Sequence, residues 1–554
     1  VFGEAMKEAE ISISAGNTTR GAFWLPSLLL VGVLAIPFLF RDQVNGVEGE
    51  ALPLVIISPH NEAIRYEFGQ AFSAWHARNF GQAVSVDWRS IGGTTEISRY
   101  LASQYTSAFR ASWIGQGHAW SGRTAAAFNN PKVKPDDPSE SEEARQARQA
   151  FLASSAGIGI DLFFGGGEYD HSKQAAIGHL APCGFRDSPE GKRILGSQIP
   201  EMISGEKWYD KNDLWYGVTV SAFGICFNRD VIRQLAGGRE PQTWRDLGQP
   251  ALFRRVALAD PTKSGSSAKA FEMILQQEMA LAVAEIPKGS SAYSEALSRG
   301  WREGWKVIRT ATANSRYFSD SASKVPLDVA NGDAAAGMCI DFYGLFQAAM
   351  VADSDGKTRM GYVSPRAGTT VGCDPISLLR GAPHPELAKR FIQFVLSMEG
   401  QRLWSFRVGE PGGPVRYALQ RLPIRRDFYT PENLQHSSNP DLNPFDQAAT
   451  FACHPEWTAK LFNAIRLLVK ALAIDTGEEL QTAWGAILAE GGTESCPEAA
   501  DNFFALPENA EFEQIGATLA SVKTKVDEIR LAREWGRFFA ERYEEARRLA
   551  TSRG

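Results

Sequence analysis

The sequence has only six cysteines in 554 residues, and no Cys-x-x-Cys pair is found among them. That excludes a disulfide-built scaffold and gives no support to a zinc site of paired thiolates. Positive charge is also in deficit: 58 Lys+Arg against 64 Asp+Glu leave a net −6. Nucleic-acid binding through bulk charge is therefore disfavoured, and no nucleic acid is expected as a partner. His-Glu-x-x-His, Walker A, Gly-x-Ser-x-Gly and dinucleotide-type glycine runs are missing from any fitting context. Ser266-Ser267-Ala268-Lys269 matches Ser-x-x-Lys, but the Lys-Thr-Gly companion of an acylating serine is absent. With no nucleophile–base pair in view, the chain does not read as an enzyme. Disorder is excluded too, since 44% hydrophobic and 22% charged residues are ordinary for a globular protein. The length suggests several domains, at roughly 150 residues each.

One absence is local. Between Arg20 and Arg41 there is no charged residue, and the run Gly21–Phe40 is almost wholly apolar. About 20 apolar residues suffice to span a bilayer core. The run ends Phe-Leu-Phe-Arg-Asp without the small residues of a signal-peptidase site, so a retained anchor is favoured over a cleaved signal. Either reading exports the residues after the run to a periplasmic or other extracytoplasmic location. Residues 1–42 are thus expected to be a signal or a membrane anchor, with the membrane as a partner through an N-terminal helix.

Beyond a polar spacer, Leu52–Ile57 is continuously apolar, as in a strand buried on both faces. Glu62–Arg78 has helical apolar spacing, Val84, Val86 and Trp88 alternate as in a strand, and Thr94 or Thr95 can cap the next helix. Ile158–Phe164 is a third strand candidate. Strand, helix, strand, helix, strand predicts an α/β domain with a parallel sheet. The connection from about 106 to 154 is Pro-rich and then highly charged, which predicts a surface insertion, partly disordered, in which a short helix from Ser139 is an option. In the second half, Val218–Phe227, Val256–Ala259 and Ala334–Ile340 read as strands, and Ser266 to about Glu285 as a helix. After Thr430 strand signals fade. Leu461–Ala473 and Val526–Leu549 look amphipathic, the latter with Val526, Ile529, Trp535, Phe538 and Tyr543 on one face.

Ligands of parallel α/β sheets sit beyond the carboxyl ends of the strands, so the turns there are the candidate site. The first strand ends in Ser58-Pro59-His60-Asn61, where free amides suit an anion and His60 adds an imidazole that can bind metal. The second ends in Gly92-Gly93-Thr94-Thr95, two glycines and two hydroxyls at a helix start. The third ends in Gly165-Gly166-Gly167-Glu168-Tyr169-Asp170. In the second half, Ser264, Gly265 and Ser266 open a helix beside Lys263. Asp341-Phe342-Tyr343 follows the small-residue strand, and Gly372-Cys373-Asp374 follows a later turn.

These turns, in this order, resemble the extracellular solute-binding proteins of ABC importers, in the ferric-, phosphonate-, thiamine- and polyamine-binding group with the type II periplasmic-binding fold. The stretches carrying the resemblance are LWYGVTVSAFGICFNRDVI, PQTWRDLGQPALFRRVALADPTKSGSS, SASKVPLDVANGDAAAGMCIDFYG and GYVSPRAGTTVGCDPISLLRGAPHPELAKRFIQFVLSMEGQRLW. The resemblance covers about residues 52–430 and implies a two-lobed clamp that closes on its ligand by hinge motion. In the ferric branch the metal is held by a His in the first turn, an acidic residue after the third strand and two adjacent tyrosines. His60 matches the first and Tyr343 one tyrosine, but Phe342 stands at the other, and Glu168 lies two residues beyond the acidic position. Hard Fe(III) wants several anionic oxygens, so His60 and Tyr343 are a thin metal shell. The family's anion-binding turn matches Ser264-Gly265-Ser266, while a polyamine site would rest on Asp341, Asp374 and Trp215.

The expectation is an α/β, two-lobed type II periplasmic-binding fold with discontinuous lobes, an N-terminal transmembrane or signal helix and a C-terminal helical extension. Residues 52–220 with 362–430 make lobe 1, 221–361 lobe 2, and 431–554 the extension, in which Cys453 and Cys496 flank helices and are candidates for pairing. The expected function is capture of an anionic small solute or metal–anion complex for an ABC permease. An iron(III)-binding importer component and a membrane-anchored sensor or scaffold are the alternatives. No resident cofactor is expected; Fe(III) enters only as cargo.

Overall fold

The protein's structure, a computed structural model, describes residues 51–235 and 237–552. Strand β1 (Leu52–Ile57) lies parallel to β2 (Val84–Arg89) and to β3 (Leu162–Phe164). The crossover helices are Glu62–Phe80 and Thr94–Gly115. Short strands β4 (Leu180–Ala181), β5 (Met202–Ile203) and β6 (Glu206–Lys207) come next, the last two as an antiparallel pair. β7 (Tyr216–Asn228) is buried along its whole length. β8 (Val256–Ala259), β9 (Ser315–Ser319), β10 (Ala336–Ile340) and β11 (Met360–Val363) belong to the second lobe. β12 (Val371–Leu379) and β13 (Leu422–Pro423) return to the first.

The main path through the large sheet is β2-β1-β3-β12-β7-β10-β8-β9. β7 serves both lobes. Its residues 216–222 pair with β12, and its residues 223–227 pair with β10. The chain therefore passes between lobes along a continuous strand, which restricts the motion to bending and twisting. Two side chains pin the changeover: Asp341 accepts the Ala222 N–H at 2.9 Å, and Thr369 accepts the Phe223 N–H at 3.1 Å.

Each lobe has its own core. In lobe 1, Phe68, Phe164, Phe391 and Trp404 pack together; in lobe 2, Phe271, Trp301 and Met338 do so. The lobe 2 core does not stop at the lobe. It runs on into the C-terminal extension through Ile465, Leu472, Trp535, Phe539 and Tyr543. Trp301 donates to the Ala510 carbonyl at 3.0 Å, and Trp484 to Asn314 Oδ1 at 3.0 Å, so the polar ends of these indoles are satisfied where their rings are buried.

Several expectations are corrected. The connection expected to be partly disordered with a short helix from Ser139 is ordered into two helices, Gly122–Ala127 and Glu142–Ala153, the second close to the expected one, and the preceding helix runs on to Gly115. Phe109, Phe128 and Phe151 meet there with ring centroids 5.0 and 5.1 Å apart, and Arg148 donates to three backbone carbonyls. These contacts join residues distant in sequence, which local composition does not reveal. In the last helix, Lys525–Thr551, the buried face is Leu531, Trp535, Phe539 and Tyr543, while Val526 and Ile529 are exposed. Cys453 is a free, buried thiol, so it makes no disulfide staple.

The expected N-terminal transmembrane helix is also corrected. Among the described residues no helix is long and apolar enough to cross a membrane; the longest, Lys525–Thr551, carries charge throughout. The run Gly21–Phe40 lies outside the described residues. Over the described residues the fold class is a two-lobed α/β periplasmic-binding fold, and no described helix supports the membrane as a partner.

Candidate functional site

The first turn is stiff. The Ser58 N–H donates to the Arg89 carbonyl at 3.1 Å, while its hydroxyl accepts the His60 N–H at 3.1 Å. His60 is buried with its edge against Phe164, at a centroid distance of 4.7 Å. Its ring lies over Gly165, where φ is +95° and a Cβ would come within 2.5 Å of the imidazole. Glycine is required there both by conformation and by space. Neither ring nitrogen of His60 has a hydrogen-bond partner, and Asp374 Oδ2 lies 3.6 Å from Nε2. Burial lowers the imidazole's pKa against the pull of Asp374. Asn61 is exposed and caps the first helix by accepting the Ile64 N–H at 3.1 Å.

Behind His60 stands a buried cation. Arg421 Nη1 donates to Asp374 at 2.6 Å and Nη2 to Ser221 Oγ at 2.8 Å. Its guanidinium lies 4.1 Å from the Phe342 ring centroid and 5.3 Å from that of Trp404. Burial pushes the Asp374 carboxyl up, but Arg421 and His60 outweigh it and hold Asp374 below the usual range. Tyr343 stacks beside Phe342 at 4.3 Å; burial raises its phenol pKa, with Arg421 working against the rise.

The two helix-opening turns meet across the cleft. Gly92 has φ +126°, and Gly93 is the N-cap of Thr94–Gly115 without a capping side chain. A Cβ on Gly93 would lie 3.4 Å from the Lys263 carbonyl, and one on Gly265 would lie 3.5 Å from Thr94 Oγ1. Thr94 hydrogen-bonds Asp170, whose pKa burial raises despite that bond. Ser264 caps the opposing helix, Gly265–Val283, by accepting the Ser267 N–H at 3.3 Å; its hydroxyl is 3.1 Å from that of Ser266.

Deeper between the lobes, Lys269 contacts Glu206 at 2.6 Å and Glu272 at 2.8 Å. Glu168 feels both Lys269 and Glu206, and burial raises its carboxyl pKa although Ser172 donates to it at 2.5 Å. Asp341 is spent on the β7 changeover. The structure thus gathers His60, Asp374 and Tyr343 around Arg421, and Gly93, Thr94, Gly265 and Ser266 at the closure, while Asn61 and Asp341 serve the backbone. Arg421 and Glu206 are not among the residues the sequence points to, and Lys269 enters there only through the Ser-x-x-Lys match. Asp170 closes the glycine-rich turn after the third strand, but Arg421 lies in a stretch with no local signal. Among the described residues no group of three or more His, Cys, Asp or Glu side chains is arranged to hold a metal ion.

Such a fold, with helix openings and charged side chains facing one another between two lobes, defines an extracytoplasmic binding protein. Residues 124–423 match the family model described as bacterial extracellular solute-binding protein, and the chain belongs to that family. That family comprises extracellular solute-binding proteins, and the chain spans about two fifths of the length of the curated relative it matches. Phosphoglycerate transport regulatory protein PgtC of Salmonella typhimurium is 26% identical over 188 residues, 34% of this chain and 39% of that relative. Among solved structures, periplasmic binding protein AfuA from Actinobacillus pleuropneumoniae with fructose-6-phosphate bound is 19% identical, with TM-score 0.41 over 64% of this chain and 82% of that one. Iron-bound HitA from Pseudomonas aeruginosa is 16% identical, with TM-score 0.43 over 76% of this chain and 99% of that one.

Proposed function

We propose that the protein captures an anionic, phosphate-bearing organic solute in the interlobe cleft and delivers it to an ABC permease. The observation that carries this reading is the convergence of two helix starts: Gly93–Thr94 from one lobe faces Ser264–Gly265–Ser266 from the other. Each start offers backbone amides and the positive end of a helix dipole, worth most to an anion when both are shielded from water. An oxyanion placed between them would favour the shut clamp, because it is bound from both lobes at once. The name of the relative PgtC, a phosphoglycerate transport regulatory protein, supports the same ligand class.

A second reading is an iron(III)–anion complex as cargo. The unpartnered, buried nitrogens of His60 favour it, with Asp374 and Tyr343 close by. Arg421 weighs against it, since a fixed guanidinium cation beside the metal position repels the ion.

A thermal-shift and calorimetric screen of the full chain tests both. The panel is 3-phosphoglycerate, fructose 6-phosphate, inorganic phosphate, ferric citrate and putrescine. A phosphate ester at a hundredfold excess over its Kd adds about 2.7 kcal/mol of stability, and this gain disappears in Thr94→Ala/Ser264→Ala. A shift with ferric citrate alone, lost in His60→Ala and in Tyr343→Phe, puts the iron reading first. A shift with putrescine alone overturns both.

A further inference from the structure

The C-terminal extension reaches the cleft. It leaves lobe 1 where Phe445 packs on Trp208, with ring centroids 5.5 Å apart, and where Ser204 donates to the Ala448 carbonyl. The Cys453 N–H then donates to the Ser204 carbonyl at 2.7 Å. One residue on, the His454 N–H donates to Gln276 Oε1 of lobe 2 at 2.9 Å. The extension is therefore another covalent crossing between the lobes, in addition to β7 and the segment joining β11 to β12.

Past that crossing, the helix Phe462–Val469 turns back toward the closure. Phe462 packs on Tyr169 of lobe 1, with centroids 5.0 Å apart. Arg466, on the same helix, donates from Nε to the Pro261 carbonyl at 2.7 Å and from Nη2 to the Thr262 carbonyl at 2.8 Å. Nη2 also donates to Thr95 Oγ1 of lobe 1 at 3.2 Å. Pro261 and Thr262 lead into the Ser264–Gly265–Ser266 turn, and Thr95 follows Thr94. A single guanidinium thus touches the segments that carry both halves of the anion-facing closure. It covers two carbonyl oxygens whose negative ends would oppose an anion there.

We propose that Arg466 makes the extension a working part of the clamp, joining the lobes when the cleft is shut and supplying a fixed positive charge to the anion held between Thr94 and Ser264. The charge role rests on the anionic reading of the ligand; the joining of lobes rests on the contacts alone. The predicted contribution is to affinity and to the slowness of release, because opening must break the Thr95 bond.

The test compares wild type with Arg466→Met, Arg466→Lys and Thr95→Val in the full chain. It measures Kd and dissociation rate for 3-phosphoglycerate at low and high salt. Arg466→Met is expected to bind about 10- to 100-fold more weakly, as for loss of a hydrogen-bonded charge, with a smaller salt dependence. Arg466→Lys restores the salt dependence but only part of the affinity, since an ammonium cannot reproduce the fork. Thr95→Val leaves the extension and its core intact, so it reports on the joining of lobes even where Arg466→Met fails to fold; it is expected to release ligand severalfold faster. Wild-type Kd and release in both Arg466→Met and Thr95→Val would overturn the proposal. A wild type that binds no phosphate ester overturns the ligand reading and the charge role with it, a result distinct from unaltered variants of a protein that does bind.

Discussion

Asp341 Oδ2 accepts the backbone N–H of Ala222 at 2.9 Å, at the residue where β7 passes from one lobe to the other. Its Oδ1 accepts the Phe342 N–H at 2.7 Å, so one buried carboxylate ties the hinge strand to the start of a lobe 2 helix.

That carboxylate makes stability depend on pH. Burial pushes Asp341 up to about 6, although the two backbone donors and Arg421 work against the rise. A carboxyl whose pKa is higher folded than unfolded contributes stability that is complete below about pH 4 and is lost as pH rises through about 6. About two units at 1.36 kcal/mol each makes this roughly 3 kcal/mol. Urea denaturation of wild type and Asp341→Asn from pH 4 to 7 isolates the group. The stability advantage of wild type should shrink as pH rises, and the variant should lack that component of the slope. Parallel curves would show that Asp341 titrates normally.

Arg421 and Asp374 are expected to be coupled energetically. Arg421 is 1% exposed and its guanidinium is clamped between Asp374, Ser221 and the Phe342 face. Arg421→Met removes one partner of a buried pair and should cost about 3–5 kcal/mol, because Asp374 is left without its counter-charge. In Arg421→Met/Asp374→Asn the uncompensated charge is gone, and at least about 1 kcal/mol should return. Chemical denaturation of the four proteins closes the cycle. Additivity within about 0.5 kcal/mol would mean the two side chains do not interact.

Much of this architecture was legible in the chain. Leu52–Ile57 and Val218–Phe227 are apolar runs whose length and burial leave few alternatives to a strand, and the turns after the strands follow from parallel topology. The Ser264–Gly265–Ser266 turn was readable because a helix start has a local chemistry of small and hydroxyl residues. Arg421 and Arg466 were not. Each acts through partners 47 to 371 residues away in sequence, and neither sits in a pattern that marks burial. The face of the last helix was misread for a similar reason. Val526 and Ile529 lead into an apolar series along the helix, but both are exposed. Periodicity identifies a helix; only its neighbours decide which side is covered.

The Glu206–Lys269 contact should set how readily the empty clamp opens. Lys269 Nζ lies 2.6 Å from Glu206 of lobe 1 and 2.8 Å from Glu272 of its own helix. Burial alone would lower the lysine pKa, but the two carboxylates hold it well above the usual range. Opening breaks only the Glu206 arm, and Lys269 keeps Glu272. Glu206→Gln should therefore leave the fold intact and shift the unliganded population toward the open form. Small-angle scattering of the empty protein should show a larger radius of gyration. Ligand Kd should rise about tenfold if the lost contact favours the shut form by about 1.4 kcal/mol, since affinity scales with the fraction of protein that is competent to bind. Lys269→Met should be worse by a different route, leaving two buried carboxylates without their counter-charge at a cost of about 3–5 kcal/mol in global stability. Unchanged scattering and unchanged Kd in Glu206→Gln would mean the contact accompanies closure without helping to set it.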